Sequence, residues 1–229
     1  MNILARLTAA LLLCTLTLHS ESDERLHADG KGWRLDQAKV TDPTRPRVLL
    51  VGDSILNGYF SVARKALENC AYVDAWVNPY PQSKHYTKLF AEVIDKGGPY
   101  DVIHFNTGLH GWQKGRIPEG QIEPLTHEVV QMIRTKNPKT KVIWASSTPV
   151  TTRTPAPIAL DPEINPVIIG QNQSVANVMK AQNVPINDFY TMLVTTLEDA
   201  RGDQFHWKPA AYQKLGKACA DSIKKALEK

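Results

Sequence analysis

The sequence is poor in the features that mark most specialised architectures. Its 229 residues hold only three cysteines, Cys14, Cys70 and Cys219, too few for a disulfide-stapled scaffold. No group of His, Cys and Asp has metal-ligand spacing, so no metal site is expected. Glycine and proline number 13 and 15 with no internal repeat, which excludes collagen-like and low-complexity chains. The net charge of +4 comes from 27 basic and 23 acidic residues scattered along the chain. Such mixing leaves no basic stripe for nucleic acid. After residue 20 no apolar run nears the roughly 20 residues a bilayer crossing needs, so no stable membrane span is expected. What remains is an ordinary globular composition, 42% apolar, in a chain long enough to bury its own core.

The first twenty residues differ from the rest. Arg6 precedes an apolar stretch from Leu7 to Leu18, and the polar segment ESDERLHADGK follows. A charged start, a short apolar run and a polar exit read as a secretory signal over 1–20, which places the mature protein outside the cytoplasm, secreted or periplasmic. The bulky Leu13 before Cys14 fits a lipoprotein site badly. Removing the signal leaves Cys70 and Cys219, which an oxidising compartment would allow to pair.

Residues 21–46 read as a loosely packed leader, and 47–229 as one domain. Short apolar runs at 47–52, 71–77, 101–106, 141–146 and 184–190 are predicted strands, since they suit strands buried on both faces. Helical spacing falls between them, at 60–69, 83–98, 121–136, 167–183, 191–200 and 209–227. Alternation of this kind predicts an α/β, three-layer fold with a central parallel sheet of about five strands. The Thr/Pro-rich stretch 147–166 is long for a connection, as functional loops are. His104 lies within a strand pattern and reads as a core histidine.

In an open parallel sheet, ligands gather at the C-terminal strand ends. The first such end carries Gly52-Asp53-Ser54-Ile55. It sets Ser54 at a strand-to-helix turn, where backbone N–H groups can stabilise an oxyanion. Leu56 occupies the last position of a G-x-S-x-G elbow, which disfavours an ordinary α/β-hydrolase. A serine nucleophile needs a base, and the base an orienting carboxylate. Asp203-Gln204-Phe205-His206 offers both within one turn.

Gly52-Asp53-Ser54-Ile55 together with Asp203-x-x-His206 resembles the SGNH hydrolases, also called GDSL esterases, over about residues 47–228. The resemblance implies a flavodoxin-like fold and ester hydrolysis without cofactor. It makes Ser54 the nucleophile, His206 the general base and acid, and Asp203 its orienter. The family's third block, G-x-N-D, donates to the oxyanion through its Asn. Here the segment reads Asn106-Thr107-Gly108-Leu109-His110-Gly111, so the donor is either His110, at the family's spacing, or Asn106, nearer the strand end. The second block departs further. The family has a glycine there, whereas Val77-Asn78-Pro79-Tyr80-Pro81-Gln82-Ser83 has none, leaving Tyr80, Gln82 or Ser83 to offer a donor.

Trp112, Gln113, Lys114 and Arg116 follow the third block, Trp207 follows His206, and Trp144 lies near the end of the fourth strand. On this fold several of them are expected to rim the cleft, with Trp112, Trp207 and Gln82 as substrate contacts. Aromatic faces beside polar and cationic groups suit a small-molecule or glycan ester better than a long lipid tail. The expected activity is that of an exported carboxylesterase, with O-acetyl groups on carbohydrate as the family-based substrate. A lipid-directed esterase and a non-catalytic glycan-binding module are the other readings. The same fold sets the first and last helices on one face of the sheet, which makes a Cys70–Cys219 bond feasible.

Overall fold

The computed structural model describes residues 34–228, so the signal expected at 1–20 and the first half of the expected leader lie outside the described residues. Six strands form a single sheet: β1 (Arg34–Asp36), β2 (Arg47–Gly52), β3 (Tyr72–Val77), β4 (Val102–Phe105), β5 (Lys141–Ala145) and β6 (Ile186–Asn187). Their order is β1-β3-β2-β4-β5-β6. The five from β2 onward are mutually parallel. Taken alone they follow the flavodoxin-like order 2-1-3-4-5.

The central strands β2 to β5 are buried on both faces because they are apolar at most positions. Val48 and Leu50 of β2 point to one side, where they meet α1 (Ser54–Leu67), α5 (Phe189–Val194) and α6 (Pro209–Leu227). Leu49 and Val51 point to the other side, toward α2 (Tyr86–Gly97), α3 (Ile122–Lys136) and α4 (Ile164–Ala181). The fold class read from the alternating pattern is the one observed.

The leader departs from expectation. Its 34–42 stretch is strapped to the domain, with β1 pairing antiparallel to β3 through Arg34↔Val77, Leu35↔Trp76 and Asp36↔Ala75. Asp36 pairs with Arg64 at 2.7 Å. Asp74, fully buried, accepts from Ala38 N, Arg47 Nη2 and Tyr100 Oη. A three-residue strand rich in charge carries too little periodicity to be read from sequence. The strand expected at 184–190 shortens to Ile186–Asn187, because Asp188 caps α5 by accepting from Thr191 N. Cys70 and Cys219 are both free thiols, and Cys219 is buried in α6 among apolar side chains.

Two glycines let α1 and α6 approach closely. A Cβ on Gly58 would lie 2.3 Å from the Tyr212 ring, and one on Gly216 would lie 2.6 Å from Val62 Cβ. This contact brings the start of α1 at Ser54 close to the segment just before α6 that holds His206.

His104 sits in mid-sheet on β4, fully buried, with Nε2 at 3.3 Å from the Asn187 amide. Burial drives its pKa down from the ordinary 6.5 to about 4, because the sheet interior cannot hydrate the charged ring. Between those values the unfolded chain binds the proton and the fold does not. The stability that the neutral ring contributes is therefore complete above the unfolded value and is lost as pH falls toward the folded one. At about 1.4 kcal/mol per pH unit, this group is expected to lower stability by about 2 kcal/mol between pH 7 and pH 5. Urea unfolding of wild type and His104→Gln at both pH values checks this, and an equal pH slope in the two proteins would count against it.

Candidate active site

The site forms at the C-terminal ends of β2 and β4, neighbours in the sheet. Gly52 closes β2 in a turn so tight that a Cβ there would lie 2.9 Å from Leu56 Cβ. Asp53 then caps α1, its Oδ1 accepting from Ile55 N at 2.9 Å. A capping carboxylate is stabilised there by the unpaired N–H groups of the first turn. Ser54 follows as the first helical residue, half-buried, with its hydroxyl at the cavity.

The other half of the site is the 203–206 turn. Asp203 Oδ1 accepts from the backbone N–H of His206 at 2.8 Å and of Phe205 at 3.2 Å. Asp203 Oδ2 lies 2.9 Å from His206 Nδ1, and His206 Nε2 lies 3.0 Å from Ser54 Oγ. Residues 152 positions apart are thus joined in one hydrogen-bonded chain. With Nδ1–H donating to the carboxylate, Nε2 is left to accept from the serine hydroxyl. Partial burial pushes the Asp203 carboxyl up, but the hydrogen bonds from His206 and Phe205 outweigh it and hold its pKa below the ordinary value.

Gln204 holds this turn in place. Its φ of +81° is a left-handed conformation that costs a non-glycine residue energy. The long 147–166 loop compensates from three directions. Thr151 N donates to Gln204 O at 3.0 Å, Arg153 Nη2 donates to Oε1 at 3.0 Å, and Nε2 donates to Asp161 Oδ2 at 3.2 Å. Sequence reasoning gave Gln204 no role, because the partners that fix it are distant in the chain.

The loop after β4 separates the two candidate oxyanion donors. Asn106 is turned into the protein: its Nδ2 donates to Ala145 O at 2.6 Å, and its Oδ1 accepts from Gly108 N. It braces the loop and does not line the cavity at Ser54, which corrects its assignment as a donor to that cavity. His110 does line it, beside Ser54 and His206. Its Nε2 lies 3.9 Å from Asp53 Oδ2. Burial lowers the His110 pKa, with Arg116 and His206 acting the same way and Asp53 opposing, so the ring is neutral near pH 7.

Asp53 is the residue whose importance the sequence reading missed. Fully buried, it also accepts from Leu109 N at 2.9 Å through Oδ2 and so fastens the β4 loop to the start of α1. The loop turns beneath it at Gly108, whose φ is +73° and where a Cβ would stand 2.6 Å from Asp53 Oδ2. An Asp directly before a helix start is the N-cap signal that marked it.

Three further expectations need correction. Trp207 is buried in the core between the sheet and α6, because the chain turns inward after His206 to begin that helix. Trp144 alternates to the opposite face of the sheet and packs with α2, α3 and α4. Gln82 lies in the turn before α2 and is not among the residues lining the cavity; nor are Tyr80 and Ser83. Of the three intended substrate contacts, Trp112 alone reaches the cleft, where its ring stacks on Phe205 at 6.3 Å. The cavity holds about 230 Å³ and is walled by Leu109, His110, Trp112, Gln113, Arg116 and Phe205 around Ser54 and His206. Among the described residues no His/Cys/Asp/Glu group could hold a metal ion.

No protein-family model and no curated sequence matches the chain. Solved structures do match in fold. An acetyl xylan esterase shares 14% identity, covering 77% of this chain and 99% of its own, with a TM-score of 0.61. A carbohydrate acetylesterase from Sinorhizobium meliloti shares 12%, covering 79% and 99%, with a TM-score of 0.62. A possible lipase from Chitinophaga pinensis shares 15%, covering 78% and 98%, with a TM-score of 0.58. At these identities the likeness is one of fold, and the fold is the one that the SGNH resemblance implies.

Removing the Asp53 carboxylate is expected to affect both loops at once. Asp53→Ala loses the helix cap, worth about 1 kcal/mol. It also leaves the buried Leu109 N–H without a partner, at about 1–3 kcal/mol. A combined loss of about 2–4 kcal/mol in urea unfolding is expected on those grounds. Hydrogen exchange at the Leu109 amide should quicken in the same variant. A loss no larger than a cap alone, with Leu109 still protected, would separate the two roles.

Proposed function

We propose that the chain is an exported serine ester hydrolase that removes small acyl groups, acetyl foremost, from carbohydrate. The observation that carries this reading is the hydrogen-bonded chain Ser54–His206–Asp203 opening on a cavity. Ser54 Oγ attacks the ester carbonyl while His206 Nε2 takes its proton. Asp203 holds the ring in the required tautomer and balances the imidazolium. The negative oxygen of the tetrahedral intermediate is met by the Ser54 N–H at the helix start and a ring N–H of His110. The intermediate collapses with cleavage of the C–O bond to the alcohol, which leaves with the proton from His206. Water, deprotonated by His206, then attacks the acyl-enzyme, releasing the acid and restoring Ser54.

A neutral His110 supports the donor role, since a ring that is already neutral offers its N–H without adding a second cation beside His206. The cavity supports a small acyl group: about 230 Å³ lies below the roughly 300–1,000 Å³ of drug-sized sites. Its polar wall of His110, Gln113 and Arg116 disfavours a long lipid tail, which would desolvate those groups without partners. The acetyl and carbohydrate parts draw on the described activities of proteins with this fold, and export draws on residues 1–20.

Treatment with a fluorophosphonate is expected to give a single adduct on wild type and none on a folded Ser54→Ala, read by intact mass. A folded wild type that takes no adduct would instead favour the glycan-binding module. His110→Ala is expected to lower kcat on a small acetyl ester by about 10²-fold, as loss of one oxyanion donor does, with KM little changed. An unchanged kcat would remove His110 from the oxyanion site.

A further inference from the structure

The cavity over Ser54 has two unlike walls. One is aromatic, formed by Trp112 from the β4 loop and Phe205 from the turn that carries His206, their planes 30° apart. The other is polar and includes His110, Gln113 and Arg116. Arg116 Nη1 donates to His110 O at 3.2 Å, which leaves most of the guanidinium donors unused. Two arginines at the turn that carries His206 have partners there: Arg201 Nε lies 3.9 Å from Asp203 Oδ2, and Arg153 donates to Gln204 Oε1. Among the described residues, no carboxylate lies within ion-pair distance of Arg116.

An exposed arginine is ordinary on a surface. One that lines the same cavity as Ser54, together with a stacked aromatic pair, points at the substrate. We infer that the cleft takes an acylated sugar bearing a carboxylate, a uronic acid, with Arg116 pairing with the carboxylate and the Trp112–Phe205 wall flanking the ring. The inference rests on the serine-hydrolase reading and adds the charge of the substrate to it. The planar fork of a guanidinium matches a carboxylate with two parallel hydrogen bonds. One guanidinium balances one unit of charge, which fits a carboxylate better than a phosphate dianion. The aromatic pair offers a flat apolar face to the C–H side of a sugar ring, and a neutral acyl chain in the same place would leave the cation without a partner.

Protection of Ser54 tests this whatever the acyl group is. A small uncharged fluorophosphonate labels Ser54 in the presence of oligogalacturonides or of uncharged xylo-oligosaccharides of equal length and concentration. The galacturonides are expected to slow labelling by about ten-fold relative to the xylo-oligosaccharides, the scale of one charge-assisted pairing. Arg116→Gln is expected to erase that difference, and Arg116→Lys to keep part of it. Equal protection by the two sugars, no protection by either, or a difference that survives Arg116→Gln overturns the proposal. Absence of labelling on wild type without any sugar is the separate result that overturns the hydrolase reading, and this proposal with it.

Discussion

The buried carboxylate of Asp53 is the constraint on which the site's geometry depends. It stands where β2 ends and α1 begins, with one oxygen on Ile55 N and the other on Leu109 N. The first bond starts the helix at Ser54, and the second draws the β4 loop across the strand boundary until His110 faces the serine. Burying a charge is costly unless it is hydrogen-bonded. Here two backbone donors and the positive end of α1 offset that cost. The same crowding excludes a side chain at position 108, where only glycine combines the left-handed φ with the space beneath Asp53.

From that fixed point the rest of the cleft is assembled by packing. The close approach of α1 and α6, allowed by Gly58 and Gly216, brings the chain just before α6 over the start of α1. Trp207 is the anchor of that segment: by sinking into the core it forces the preceding residue, His206, to stay at the surface facing Ser54. The 147–166 loop completes the arrangement from outside by holding Gln204 in a conformation it would not adopt alone. Its length, which read as that of a functional loop, serves this structural duty.

What could be read from the sequence follows the range of the interactions involved. The parallel sheet was legible because its strands are continuous apolar runs separated by helical periods, a local signal. Asp203 and His206 were legible because one turn joins them, and Ser54 because a short motif marks the strand-to-helix junction. Trp207, Trp144, Asn106 and Gln82 were misread for a common reason: which way a side chain faces at a strand end or loop is decided by elements far away in sequence. Trp207 and Trp112 are the same residue type at similar distances from site motifs, yet one is core and the other cleft wall. The leader strand escaped notice because its three residues have no pattern of their own, and they pair only where β3 offers an open edge.

On the proposed reading, the loop from Asn106 to Arg116 combines two demands that pull in opposite directions. An oxyanion donor should be neutral and held still, whereas a site for an anionic substrate needs positive charge close by. Placing both on one loop lets the second serve the first. Burial and the Arg116 cation both disfavour protonation of His110, and Arg116 also fixes the His110 carbonyl by a direct hydrogen bond. Asp53 acts in the other direction, but at 3.9 Å from the ring it is already committed to two backbone donors. A bound carboxylate would screen Arg116 and relax its hold on the His110 protonation state, so the ring's neutrality would then rest chiefly on burial, the larger effect. If His110 is the donor, as proposed, its neutrality is held by the contribution that a filled cleft would strengthen, because filling the cleft removes water from both groups at once.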